Sequence, residues 1–84
     1  MELVRAYHYT YGLPPAPMVV NGVVLNPGDK VRFTYPLNGF FRKRESGYVN
    51  RMFDDTHLII SSTDTLDDDR CFIVSKIADL RIVR

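Results

Sequence analysis

Lys30-Val31-Arg32-Phe33-Thr34-Tyr35, closed by Pro36, is the stretch on which the fold turns. Val31, Phe33 and Tyr35 fall on one face of an extended chain and Lys30, Arg32 and Thr34 on the other, the period of two that marks a half-buried strand. Asn26-Pro27-Gly28-Asp29 supplies a turn just before it. The same rhythm continues downstream. Residues 37 to 46 read as a loop with a basic tip, Arg42-Lys43-Arg44. Gly47 to Phe53 reads as a strand, with Tyr48, Asn50 and Met52 opposite Val49, Arg51 and Phe53. Asp54-Asp55-Thr56 turns into a strand over residues 57 to 62, and residues 64 to 69 form an acidic connection. Residues 70 to 76 are rich in β-branched and aromatic side chains and predict another strand. Ile77 to Leu80 leaves room for one helical turn before a short strand over residues 81 to 84.

Upstream, Val19-Val20-Asn21-Gly22-Val23-Val24 is a hairpin signal, because Asn-Gly accepts the positive φ angles of a type I′ turn. Gly12-Leu13-Pro14-Pro15-Ala16-Pro17 precedes it, and its three prolines keep that stretch out of any sheet interior. It reads as a rigid connector. Residues 3 to 11 alternate so that Tyr7, Tyr9 and Tyr11 share one face of a strand, a stripe suited to a core or an interface. Frequent turns and short apolar runs together predict an all-β domain. A rival pattern places Leu66, Ile73, Ile77 and Leu80 on one face of a C-terminal helix over residues 66 to 80, with Asp64 as N-cap. The strand is preferred, because the continuous run Cys71-Phe72-Ile73-Val74 would spread around a helix.

With 84 residues, 45% of them apolar, the chain has material for one core. The expected organisation is a single domain over 1–84, with residues 1–27 an arm and hairpin and residues 28–84 the main body. A lone cysteine, Cys71, excludes an internal disulfide framework and favours a reducing, cytoplasmic setting; it reads as a small buried hydrophobe. No apolar run approaches a membrane span.

From Gly28 onward the order of parts resembles the small SH3-like β-barrels. Gly28-Asp29-Lys30-Val31-Arg32-Phe33 matches their glycine turn and first strand, followed by a long loop, a three-strand meander, a single helical turn and a short last strand. The resemblance implies an all-β, small SH3-like barrel carrying an added N-terminal arm. The Ala-Leu-Tyr-type motif of peptide-binding SH3 domains is missing. The opening also looks like that of the plasmid-type dihydrofolate reductases, yet Phe72-Ile73-Val74-Ser75 stands where they carry Val-Gln-Ile-Tyr, so their activity is not carried over.

Charge segregation is the most informative functional feature. Residues 30 to 51 hold six bases (Lys30, Arg32, Arg42, Lys43, Arg44, Arg51) against Glu45, a formal +5, while residues 54 to 69 hold six aspartates and no Lys or Arg, a formal −6. Phe40, Phe41 and Tyr48 lie beside the basic tip, and aromatics among cations suit a protein interface or the bases and phosphates of a nucleic acid. The expected contact surface is therefore Arg32, Phe40, Phe41, Arg42, Lys43, Arg44, Tyr48 and Arg51, with Tyr7, Tyr9 and Tyr11 as a second interface. The two histidines, His8 and His57, belong to no metal or catalytic spacing, and the acidic loop lacks the glycine and terminal glutamate of a calcium loop. These features predict a non-enzymatic interaction module, binding a protein partner or a second copy of itself. A nucleic-acid-binding module is one alternative, and a small enzyme with its site at an oligomer interface is another. No cofactor, metal, membrane or small-molecule ligand is expected.

Overall fold

Asn21 and Gly22 both adopt positive φ, 50° and 81°, as a type I′ hairpin requires. They join β1 (Met18–Val20) to β2 (Val23–Leu25) in a two-stranded sheet with Val20 opposite Val23. The computed structural model describes residues 12–84, so Tyr7, Tyr9, Tyr11 and the strand expected over residues 3 to 11 lie outside the described residues. The next turn places Pro27 second and Gly28 third, at φ 94°, and the Asp29 N–H donates to the Asn26 carbonyl at 3.0 Å. That is a type II turn, whose third position favours glycine.

The remaining strands are β3 (Lys30–Pro36), β4 (Arg42–Asp54), β5 (His57–Ser61), β6 (Arg70–Ile73) and β7 (Ala78–Ile82). They form one antiparallel sheet in the order β6-β5-β4-β3-β7. The all-β expectation holds, and β3 alternates as its sequence predicts, with Val31 and Phe33 buried and Lys30 and Arg32 exposed. The core joins Val31, Phe33, Val49, Leu58, Ile60, Phe72 and Ile77 to Val20 and Leu25 of the first hairpin. That hairpin is therefore part of the body's core.

The sheet is strongly curled. β6 stands three places from β3 in strand order, yet the Phe72 ring meets Phe33 and Tyr35 edge-on at 5.0 and 4.9 Å. The Ile73 N–H donates to the Tyr35 hydroxyl at 2.9 Å. Register shifts at residues 49–51 and 52–54 of β4 are bulges, which bend a strand and sharpen its twist. Among the described residues no backbone ladder joins β6 to β7. The two edges are instead linked by a single 3-10 turn, Val74–Lys76.

Two boundaries differ from expectation. Residues 42 to 46 are strand, so the β3–β4 connection shrinks to residues 37–41. Four successive charged residues carry no period-two signal, but pairing from Lys30↔Tyr48 to Pro36↔Arg42 extends the ladder through them. The helical turn falls at Val74–Lys76, ahead of its expected place, because Ile77 must enter the core directly after it. Residues 66 to 80 form no long helix.

Candidate functional site

Leu37, Asn38, Gly39, Phe40 and Phe41 make the tip of the β3–β4 hairpin. Asn38 organises it: its side-chain oxygen accepts the N–H groups of Phe40 and Phe41 at 2.9 and 3.1 Å. The Leu37 N–H donates to the Phe41 carbonyl at 2.9 Å and closes the turn. These bonds hold the turn while three large apolar side chains face solvent: Leu37 is 65% exposed, Phe40 94% and Phe41 64%.

The expected contact residues separate into groups once folded. Phe40 and Phe41 stay together at the tip, joined by Leu37. Arg42 is spent on structure: its Nε donates to Thr34 Oγ1 at 3.0 Å, and its Nη2 donates to the carbonyls of Thr34 (3.0 Å) and Lys76 (2.6 Å). It ties the hairpin to the end of the 3-10 turn. Lys43 lies opposite Tyr35 and pairs with Glu45 at 3.9 Å. Arg51 is buried, its side chain 6% exposed, with Nη1 donating to Asn50 Oδ1 at 2.6 Å and Nη2 3.9 Å from Asp69. It offers no surface to a ligand.

Arg32 and Arg44 remain on the outward face of β3 and β4, joined by Arg81 of β7, which stands directly opposite Arg32. These three arginines, with Phe33, Thr34, Glu45 and Asp79, line an open groove of about 410 Å³. Tyr48, opposite Lys30, continues the same face, with the Lys30 ammonium 5.9 Å from its ring centroid. Leu37 and Arg81 are additions to the surface expected from sequence. Their signal was weak: Leu37 stands alone next to Pro36, and only the β3–β7 register brings Arg81 to Arg32.

The acids are partly neutralised. Asp68 accepts the Ser62 N–H at 2.7 Å and the Ser62 hydroxyl at 2.8 Å, which lowers its pKa. Asp69 accepts from Asn50 Nδ2 at 3.3 Å, and that amide also donates to the buried Ser61 hydroxyl at 3.0 Å. Arg70 donates to the Ser46 carbonyl at 2.8 Å and to Glu45 at 3.3 Å. Its Nε makes no hydrogen bond and lies 4.0 Å from Asp68. The acidic connection is thus a staple across the β5–β6 end.

His57 Nδ1 lies 2.9 Å from Asp54 Oδ1 and 2.8 Å from Thr56 Oγ1. The Thr56 N–H and the His57 ring hold the Asp54 carboxyl down at about 2. Cys71 is exposed at the edge strand, contrary to its expected burial, because it alternates with core-facing Phe72. Local desolvation, then Asp54 and Asp69, push its thiol pKa up, which suppresses the nucleophilic thiolate. Among the described residues, no group of three or more His, Cys, Asp or Glu side chains converges as a metal site, and no helix is long and apolar enough to cross a membrane.

Comparison with known protein families, with curated proteins and with solved structures finds no match to this chain.

Proposed function

We propose that this chain is a non-catalytic interaction module, built on an SH3-like curl of five strands, that docks a protein partner through the tip of its β3–β4 hairpin. The strand order and the single 3-10 turn before the last strand support the SH3-like reading. The observation that carries the docking reading is the pre-ordered tip with Leu37, Phe40 and Phe41 in solvent. Exposed aromatics on a rigid turn lose little entropy on binding and make effective anchors. The complementary partner carries an apolar pocket with a carboxylate nearby, since Lys43 follows the tip. The lone Cys71 fits a reducing, cytoplasmic setting.

Site-specific photocrosslinking from position 41 in the native host tests this. The expected result is one discrete adduct, identified by mass spectrometry, that is absent when the crosslinker sits at Thr63 and lost on Phe40→Ser. An adduct of twice the chain mass assigns the tip to self-association, the homotypic form of the same reading. No adduct, or binding of the chain to anionic vesicles that Phe40→Ser abolishes, overturns it.

A further inference from the structure

The groove on the outer face of β7, β3 and β4 stands apart from the hairpin tip. Arg32 and Arg81 are direct partners across the β3–β7 ladder. Like charges so placed, ~5 Å apart at Cα, destabilise a sheet. Arg44, opposite Thr34, is the diagonal neighbour of Arg32 on the other side. All three line one groove. Among the described residues none of the three guanidiniums has a hydrogen-bond or ion-pair partner. The groove's acids do not relieve them. Glu45 is held by Arg70 at 3.3 Å and by Lys43 at 3.9 Å. Asp79 pairs with none of the three, so three arginines against one free carboxylate leave the groove at a formal +2.

Arg42, Arg51 and Arg70, by contrast, each bind carbonyls or side-chain oxygens of the fold. Three left bare, two of them opposed, form a concentration of positive charge that only an external anion completes. The cationic face is longer than one anion. Lys30 lies two residues from Arg32 on the same face, a rise of ~7 Å, with the half-buried Tyr48 ring beside it. A row of cations at that spacing, ending at an aromatic ring, suits a chain of phosphates bearing bases.

We infer that this groove, with Lys30 and Tyr48 at its end, binds the phosphodiester backbone of a single-stranded nucleic acid, with Arg32, Arg44 and Arg81 each meeting a phosphate. The recognition is electrostatic and weakly selective for sequence, because the face presents cations and one ring rather than an array of base-reading side chains.

Fluorescence anisotropy with a labelled oligouridylate of about a dozen residues tests it. Three phosphate contacts predict a log–log salt slope near −2, so affinity falls roughly 20-fold between about 50 and 200 mM salt. Arg81→Gln brings the slope to about −1.4, a roughly sevenfold fall over the same range. The double variant Arg32→Gln/Arg81→Gln abolishes most of the binding while its melting temperature stays level or rises, since an opposed cation pair has been removed. Lys76→Gln, outside the groove, and Phe40→Ser, at the tip, both bind as the parent does. The inference is overturned by no binding at low salt, or by a slope that the arginine variants leave unchanged. A mononucleotide that competes as well as the oligomer, or an acidic peptide that binds through the same arginines in its place, overturns it equally.

Discussion

Replacing Gly47 with alanine tests the packing that curls the sheet. A Cβ built at Gly47 would lie 2.5 Å from each of three atoms: Arg70 Nη2, Ile60 Cγ2 and the Ser61 carbonyl oxygen. The arginine tip can swing away, but only by giving up its bonds to Ser46 and Glu45. Ile60 is fully buried, and the Ser61 carbonyl belongs to the β4–β5 ladder, where Ser61 faces Tyr48. Relief therefore requires backbone movement. Overpacking a core costs about 1–3 kcal/mol. Losing the Arg70 bonds adds about 1 kcal/mol, a figure reduced for the one-third exposure of that side chain. Lower unfolded-state entropy returns about 0.4–1 kcal/mol to the alanine variant. The net is a loss of about 1–3.5 kcal/mol, or roughly 5–25 °C in melting temperature for a domain of this size. Circular dichroism through a urea titration measures it, with Gly39→Ala, whose Cβ meets nothing within 4 Å, as the control. If Gly47→Ala matches that control within ~0.5 kcal/mol, the close packing of Ile60, Ser61 and Arg70 against Gly47 is wrong.

Arg42→Ala should cost about 1–2 kcal/mol by chemical denaturation, and Arg42→Lys should not restore it, because one ammonium cannot reproduce a planar fork spanning Thr34 and the Lys76 carbonyl. Arg44→Ala should stay within ~0.5 kcal/mol of the parent; equal losses at both positions would refute the separation of a structural from a free arginine. Asp54 ionises at about 2 when folded, below its ordinary value. Its carboxylate contacts therefore stabilise the fold above about pH 4 and are lost as pH falls from about 4 towards 2. Melting temperatures across that window should fall less steeply for Asp54→Asn, and identical profiles would contradict the Thr56 and His57 contacts.

The strand content was legible because it rests on local rules. Val31 and Phe33 alternate with charges, Asn21-Gly22 demands its turn, and Pro27-Gly28 demands the next. Residues 42–46 were not legible as strand, because a run of charges becomes strand only when a neighbour supplies the ladder. The candidate surface was legible in composition and not in grouping. Phe40, Phe41, Arg32 and Arg44 are exposed, but Arg42 and Arg51 have the same chemistry as the other arginines and are indistinguishable from them in the sequence. What separates them is the position of Thr34, Lys76, Asn50 and Asp69, between 8 and 34 residues away for all but Asn50.

The amino-acid order alone determined that this chain pairs strands, where it turns, and that its cations and aspartates occupy different segments. Backbone stereochemistry and side-chain alternation act over a few residues, so they can be read without a fold. Only the tertiary structure decided which charges cancel and which stay bare. Antiparallel register carries Arg81 to Arg32 and curl carries Arg70 to Glu45, and electrostatic neutralisation depends on distance in space rather than along the chain.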